Sequence, residues 1–495
     1  MPYLMDLSQN TVFGDRFLIF TMKILYFGAG FVGACSAVVN ADSGHDVLVY
    51  DINHELVNNL SSLKKDKIEF SLHERGLGDL IIKNQSKIKF TFDLAEVEKF
   101  IDFTEAVFMC LPTPEKDNTG ETSLIFYETA TKTLGKILTK RNNNNQSQYV
   151  LLVNKSTVPV NMVNQMKEIM DKLGVKNFGV GSNPEFLVEG KAIEGSTRQD
   201  RVVVGAWNEK DFAIFRNIYS RFVSSSNTEY IEVNPLEAAA SKLLANYILF
   251  NRLANCFDVV GRICEKFDDL NFENIRKVLI TDKRIGEWGF YDSLFAGGSC
   301  FIKDARSLFY QLKSQGVNTD IIDSILTANQ RQLDNFLARP KDELNFDWHG
   351  KTVGILGLAF KRDTNDIRNS SSLKVTEFLF DQNVAQIKAF DPIAGNNYLK
   401  YFANNKDVSK INLIDSEIKA ISGVDVLIIA TDWPQFRKLS DVIKNNLAKG
   451  AIIMDGRRIL QNKYEELAEA GYNIIAVGSP VIKALKRENI KTLKQ

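Results

Sequence analysis

Lys23-Ile24-Leu25-Tyr26-Phe27 runs straight into Gly28-Ala29-Gly30-Phe31-Val32-Gly33, and a helical pattern then continues to Gly44. These residues decide the fold. The apolar run reads as a buried strand. Glycines at that spacing give a tight turn, admit a pyrophosphate close to the backbone, and let helix and strand pack closely. The phosphates would sit on the helix N-terminus, where free N–H groups and the macrodipole favour anions. A second strand follows at 46–51 and ends on Asp51, where a carboxylate holds the ribose hydroxyls of an adenosine. Strand, glycine loop, helix, strand and acid in that order specify a dinucleotide site. Ile52, Asn53 and His54 offer no arginine or lysine for a 2′-phosphate, so the cofactor expected is NAD rather than NADP.

Outward from this motif, strand patterns recur at 106–111, 149–153 and 201–205, with helical patterns between them. Such alternation predicts a parallel, doubly wound sheet, whose ligands lie outside the carboxyl ends of the strands. Leu111-Pro112-Thr113-Pro114 and Lys155-Ser156-Thr157-Val158-Pro159 fall at such ends. The tract 141–146, rich in asparagine, reads as a polar surface loop. A compositional shift over 339–349 reads as a linker. Beyond it, strands at 351–360, 386–391, 425–430 and 451–454 predict a second, smaller doubly wound unit. Its first loop lacks the glycine spacing, so no second dinucleotide is expected there.

The chain has 495 residues, 61 basic against 61 acidic, and so no net charge to recruit nucleic acid or an anionic membrane. The five cysteines at 35, 110, 256, 264 and 300 form no CxxC pair, which argues against disulfides and structural zinc and for a reducing compartment. Residues 1–21 lack the basic start and long apolar stretch of a signal peptide and read as an appendage, with Met22 a possible start. No apolar run reaches membrane-spanning length, and a cytoplasmic protein is expected.

The chemistry centres on Gly297-Gly298-Ser299-Cys300-Phe301-Ile302-Lys303-Asp304, where a helical pattern begins and runs to Gly316. A lone cysteine is by default a small buried hydrophobe. At a helix mouth, however, the macrodipole favours thiolate by about 2 kcal/mol at most, so a neighbouring cation or base must help. Ser182-Asn183-Pro184-Glu185-Phe186-Leu187-Val188-Glu189-Gly190 carries two carboxylates that would share a face at a helix start. Pro235 opens a long apolar helix to about Phe267, with Lys242 and Asn246 one turn apart on it. The loop 361–368 and the pair Arg457-Arg458 supply cations suited to phosphate or carboxylate.

Taken together, these stretches, with Arg284-Ile285-Gly286, Gly357-Leu358-Ala359-Phe360-Lys361 and Asp366-Ile367-Arg368, resemble the UDP-glucose dehydrogenase family, within the wider group that oxidises nucleotide sugars at C6. The resemblance implies an α/β fold of two doubly wound Rossmann-like domains, joined by a long central helix and a helical dimerisation region. It places an NAD domain at 22–228, a central domain at 229–340 and a UDP-sugar domain at 341–495. It implies that UDP-glucose is oxidised to UDP-glucuronate with two NAD, Cys300 capturing the aldehyde as a thiohemiacetal that becomes a thioester. By the same resemblance Glu185 is the acid/base, Lys242 and Asn246 hold the developing oxyanion, and Asp304 with Thr157 positions water. The glycine loop, Asp51, Pro112, Thr113, Thr157, Glu189 and Arg368 would contact NAD. Glu185, Phe186, Leu187, Glu189, Lys242, Asn246, Phe295, Gly297, Lys361 and Arg457 would hold the sugar nucleotide. Arg284 would reach into the partner's site of a homodimer or larger homo-oligomer. Phe295-Ala296 replaces the family's usual residues before Gly297-Gly298, and Trp288-Gly289-Phe290-Tyr291 stands where a lysine and an aromatic are common. These departures bear on the exact sugar, with a UDP-N-acetylhexosamine or GDP-mannose the alternatives, while the Gly297–Asp304 run and Arg284-Ile285-Gly286 favour UDP-glucose. A catalytically silent binding subunit is the alternative of another class, and retention of the cysteine, lysine, glutamate and aspartate together speaks against it.

Overall fold

A computed structural model describes residues 21–117, 119–143, 148–291 and 293–485. The extension at 1–21, except for residue 21, and residues 144–146 of the polar tract lie outside the described residues. The start of that tract is not the surface loop expected, since Arg141 is buried in a helix that runs Ile125–Asn143. The first sheet holds β1 (Lys23–Phe27), β2 (Asp46–Tyr50), β3 (Ile88–Thr91), β4 (Ala106–Met109), β5 (Val150–Asn154), β6 (Phe178–Ser182), β7 (Arg201–Gly205) and β8 (Glu229–Val233). Their order is β3-β2-β1-β4-β5-β6-β7-β8. β4 and β5 are buried along their whole length, as strands covered by helices on both faces must be. The expectation of an all-parallel sheet fails at one seam, because β7 pairs antiparallel with β6 through Ser182 and Gly205. β8 runs parallel to β7 over five residue pairs. The boundary expected at 228/229 thus moves beyond Val233, since β8 completes the first sheet.

The second sheet holds β9 (Thr352–Leu356), β10 (Gln386–Phe390), β11 (Ile411–Leu413), β12 (Val426–Ile429), β13 (Ile452–Asp455) and β14 (Asn473–Ala476), in the order β11-β10-β9-β12-β13-β14. All its pairings are parallel, so the strand order of the first six strands recurs. β11 and β14 had no strand signal of their own in the sequence reading.

Four helices position the site: α1 (Phe31–Asp42), α2 (Pro235–Asn255), α3 (Phe301–Ser314) and α4 (Asp320–Leu344). α2 begins with a reciprocal cap. The Asn234 side chain accepts from the N–H groups of Leu236 and Glu237, and the Glu237 carboxylate accepts from Asn234 N at 2.9 Å. A π-helical turn, Cys256–Gly261, carries it into Arg262–Lys266, so the long helix expected to about 267 is present with a π-helical turn in it. The linker expected from 339 begins later, because α4 remains helical through Pro340 to Leu344. Arg339 is buried there and donates to Ala476 O at 2.8 Å and Ser479 O at 2.9 Å, which holds the helix end against the second sheet. Phe250, Phe257, Leu294 and Phe336 share one core with Val353, Ile355 and Leu379. The central helices and the second sheet are therefore packed as one body around the loop that leads to Cys300.

Candidate active site

The glycine loop opens α1 as its spacing predicts. Gly28 has φ +103°, and a Cβ there would lie 2.1 Å from Cys110 O. A Cβ on Gly33 would lie 2.0 Å from Gly28 O, so both positions require glycine for packing. Gly30, by contrast, has open space where a Cβ would stand and lines the cleft. Asp51 accepts from Ala29 N at 2.7 Å on Oδ2 and from Asn53 N at 2.8 Å on Oδ1. Each oxygen keeps a lone pair for a hydroxyl. These residues fit NAD: Gly30 leaves room for a pyrophosphate, and Asp51 keeps acceptors for ribose hydroxyls. Phe31 and Val32 line the same cleft.

The corresponding acid of the second sheet is Asp391, and it is saturated. Its Oδ2 accepts from Leu358 N, Ala359 N and Trp433 Nε1, and its Oδ1 from Ile393 N and Ala394 N. That leaves nothing for a second ribose.

A continuous cleft of about 1740 Å³ joins the two domains. Pro112, Thr113, Thr157, Glu185, Glu189, Cys300, Asp304 and Arg368 line it. Thr113 Oγ1 donates to Thr157 O at 2.8 Å, tying the loops after β4 and β5 together. Cys300 stands at the N-cap position of α3 and is the exposed one of the five cysteines as a whole residue, although protein atoms crowd around its thiol where it meets the cleft. Behind it, Asn246 Nδ2 donates to Asp304 Oδ2 at 2.6 Å, and Lys303 Nζ donates to Asp304 Oδ1 at 2.6 Å. Lys242, one turn before Asn246, pairs with Glu185 Oε1 at 3.2 Å, while Glu185 Oε2 accepts from Leu187 N at 2.6 Å. Lys242 also lies 5.4 Å over the Phe186 ring.

Two expectations are corrected here. Residues 183–188 are loop, so Glu185 and Glu189 share no helix face. Each is claimed by a different domain instead. Nor is the Cys300 thiol acidified: its burial within the site and the Asp304 charge push it up, against weaker pulls down from Ser299 and Lys242.

The second domain closes on the first at two points. Gly297 and Gly298 lie against its first loop, where Cβ atoms would stand 2.3 Å from Asn369 O and 2.8 Å from the Phe360 ring. Gly298 N donates to Arg368 O at 3.1 Å, and Asn369 Nδ2 donates to Gly298 O at 3.2 Å. Second, Lys361 Nζ donates to Glu189 O at 2.5 Å, and Thr364 Oγ1 donates to Glu189 Oε1 at 2.8 Å. Burial pushes the Lys361 ammonium down and the Glu189 carboxyl up. Arg457 donates to Ser293 Oγ at 2.6 Å, beside the buried Phe295. Among the described residues its Nε has no hydrogen-bond partner, an orphan donor of the kind a ligand satisfies. Arg458, by contrast, serves the fold by donating to Val477 O and Gly478 O. Arg284 is not brought to this cleft. Its side chain is 90% exposed and pairs with Asp282 at 2.7 Å.

Three sets of residues were missed. Lys155 lines the cleft while buried, its ammonium 2.7 Å from Asn183 Oδ1, and burial pushes its pKa down. Its place in the quoted Lys-Ser-Thr stretch was the available signal. Ile52, Leu94, Ile125 and Phe126 are exposed apolar side chains on the cofactor end of the cleft, suited to a base's flat face. Glu74 is fully buried against the turn after Glu189, and no local pattern points to it. Among the described residues, no three histidine, cysteine or acidic side chains are grouped to hold a metal ion.

The NAD-binding domain of the UDP-glucose/GDP-mannose dehydrogenase family matches residues 22–223, its central domain residues 236–331 and its UDP-binding domain residues 354–463. The chain belongs to this family. A UDP-glucose 6-dehydrogenase of Bacillus subtilis is 31% identical over 467 residues, covering 93% of this chain and 94% of the relative. One of Pseudomonas aeruginosa is 30% identical over 465 residues, covering 93% and 98%. The solved structure of a UDP-glucose dehydrogenase from Pyrobaculum islandicum superposes with a TM-score of 0.78 at 27% identity, covering 91% of this chain and 97% of that one. A UDP-D-ManNAc dehydrogenase from Pyrococcus horikoshii shares the fold, with a TM-score of 0.75 at 21% identity. The protein is thus an NAD-dependent nucleotide-sugar dehydrogenase. No helix among the described residues is long and apolar enough to cross a membrane.

Proposed function

We propose that the protein oxidises UDP-glucose to UDP-glucuronate in two steps through a covalent bond to Cys300. The carrying observation is a single run of contacts at the mouth of α3: Cys300 opens the helix that presents Asp304, Asp304 is held by Asn246, and Lys242 on the same face pairs with Glu185. Bound at the glycine loop, NAD would supply the hydride acceptor for each oxidation. The chain's own residues account for the remainder. Cys300 Sγ adds to the aldehyde carbon, forming a C–S bond and giving its proton up as it does so. Lys242 and Asn246 offer N–H donors where the resulting oxyanion develops. Covalent capture keeps the aldehyde from escaping between oxidations. The second oxidation leaves a thioester. Water then adds to its carbonyl, the C–S bond breaks, and the sulfur recovers a proton. Glu185, facing the cleft, is the acid/base for these transfers, and Asp304 with Thr157 positions the water.

Lys361 and Arg457 would hold the UDP moiety, with Phe186, Leu187, Phe295 and Gly297 shaping the pocket. Overall one alcohol, one water and two NAD become a carboxylate, two NADH and three protons. The outward faces of α2 and its continuation carry exposed Leu244, Ile248, Val259, Ile263 and Phe267, an apolar stripe suited to a second copy. The exposed Arg284 then has a natural destination in the partner's cleft. A cytoplasmic location fits the scattered cysteines, which form no CxxC pair. The test is NADH formation against a panel of nucleotide sugars. UDP-glucose is expected to be the preferred substrate, and strong preference for GDP-mannose would refute the reading.

A further inference from the structure

Glu74 is a carboxylate with 0% exposure, in the segment between β2 and β3 just after a short helix, Lys65–Leu72. A carboxylate buried this deeply is costly unless both oxygens are bonded. Both are, and by a segment remote in sequence: Gly190 N donates to Oε1 at 2.6 Å and Ala192 N to Oε2 at 2.9 Å. Those two N–H groups lie one and three residues after Glu189, in and just beyond the turn that carries it. The turn is also where the second domain is fastened. Lys361 Nζ reaches Glu189 O at 2.5 Å and Thr364 Oγ1 reaches Glu189 Oε1 at 2.8 Å. Gly190 has φ +80°, and a Cβ on it would stand 2.8 Å from Asp363 O. Asp363 in turn pairs with Arg75, the residue after Glu74, at 2.9 Å. One acidic side chain thus fixes the turn on which the cation of the second domain rests.

We propose that Glu74 is a positioning residue that, by clamping the Gly190–Ala192 backbone, sets where Lys361 stands to receive the sugar nucleotide. The inference rests on the reading of Lys361 as a UDP-sugar ligand. The groups facing Glu74 are the Cys35 thiol of α1, Glu189 on the turn and Lys361 of the second domain, with His73 and the Arg75–Asp363 pair beside it. Burial, aided by Glu189 and opposed by the two backbone bonds and Lys361, raises its pKa to about 6. Above that value both oxygens accept. Below it one becomes an O–H facing an N–H donor, and the clamp loses a bond.

The test compares the full-length parent with Glu74→Gln, whose amide can accept only one of the two N–H groups. Calorimetry with UDP alone and with NAD alone reads the two ligands separately. UDP affinity should fall about tenfold, the loss of one charged hydrogen bond, while NAD affinity stays within about threefold. With UDP-glucose as substrate, the parent's KM for the sugar should rise as pH falls through about 6. In Glu74→Gln that KM should be raised at neutral pH and flat on the acid side. Combined with Lys361→Met, the UDP losses should be less than additive, because both changes act on one position. Equal losses for UDP and NAD, an unaltered acid-side rise, full additivity with Lys361→Met, or an unfolded Glu74→Gln protein would each overturn the proposal and leave Glu74 a structural cap. A parent that binds UDP but does not oxidise UDP-glucose would refute the choice of sugar instead, and the UDP titrations would still decide Glu74's role.

Discussion

Replacing Lys242 with methionine removes half of a pair that is nearly sealed from solvent: ammonium and carboxylate stand 3.2 Å apart with 6% and 11% of their side chains exposed. Methionine keeps most of the volume, so the effect is electrostatic. Glu185 would be left charged and unpaired, which costs about 3–5 kcal/mol of stability for a pair this buried. Loss of an N–H donor to the oxyanion should lower kcat by about 10²–10³. The third consequence is at Cys300, whose thiol is already pushed up by burial and Asp304 and is pulled down by Lys242. The pH midpoint for its alkylation should therefore rise in Lys242→Met and fall in Asp304→Asn. Denaturant melts, steady-state NADH formation and alkylation rates against pH read the three effects. Adding Glu185→Gln should restore much of the stability, because the orphaned charge is gone. A Lys242→Met enzyme with kcat within about threefold of the parent would refute the oxyanion role. Unchanged stability would refute the buried pair.

Cys300→Ala should abolish acid formation while leaving affinities for NAD and UDP within about threefold, since the thiol is needed for capture and not for holding either ligand. Calorimetry and product analysis check both halves. Gly298→Ala would force a side chain into φ +91° and bring its Cβ to 2.8 Å from the Phe360 ring. The strain of about 1–3 kcal/mol should part the catalytic loop from the second domain and lower kcat with NAD affinity retained; an unimpaired enzyme would count against the packing described. Mixing refolded Arg284→Ala and Cys300→Ala chains should restore roughly a quarter of parental activity, because about half the dimers are mixed and each carries one intact site. No recovery, with mixed dimers confirmed by mass, would rule out a shared site.

The sequence reading reached furthest where chemistry is local. A strand, a glycine loop and an acid at the next strand's end need no tertiary knowledge, and the Lys242–Asn246 spacing alone puts both on one face of α2. It failed where partners lie far along the chain. A strand pattern carries no direction, so the antiparallel seam at β6 and β7 was invisible. The loop holding Glu185 read as a helix start because its shape is set elsewhere: Asn183 is fixed by Lys155, Tyr219 and Val203 O. The Cys300 environment was misjudged because the helix mouth was weighed without Asp304, whose opposing charge sits one turn on. The compositional shift from 339 suggested a linker, but the buried Arg339 and its bonds to the second sheet keep α4 intact through Leu344. Glu74 acts on residues 116 and 118 positions away, beyond any pattern in its own segment.

The central claim is that one site carries out both oxidations without releasing the aldehyde. It is tested most directly by supplying a limiting amount of UDP-glucose with excess NAD, following absorbance to completion and identifying the product by mass. The account predicts two NADH for each UDP-glucose consumed, UDP-glucuronate as the product and no free aldehyde trapped by an added amine. One NADH per sugar, or an aldehyde recovered in solution, would contradict it.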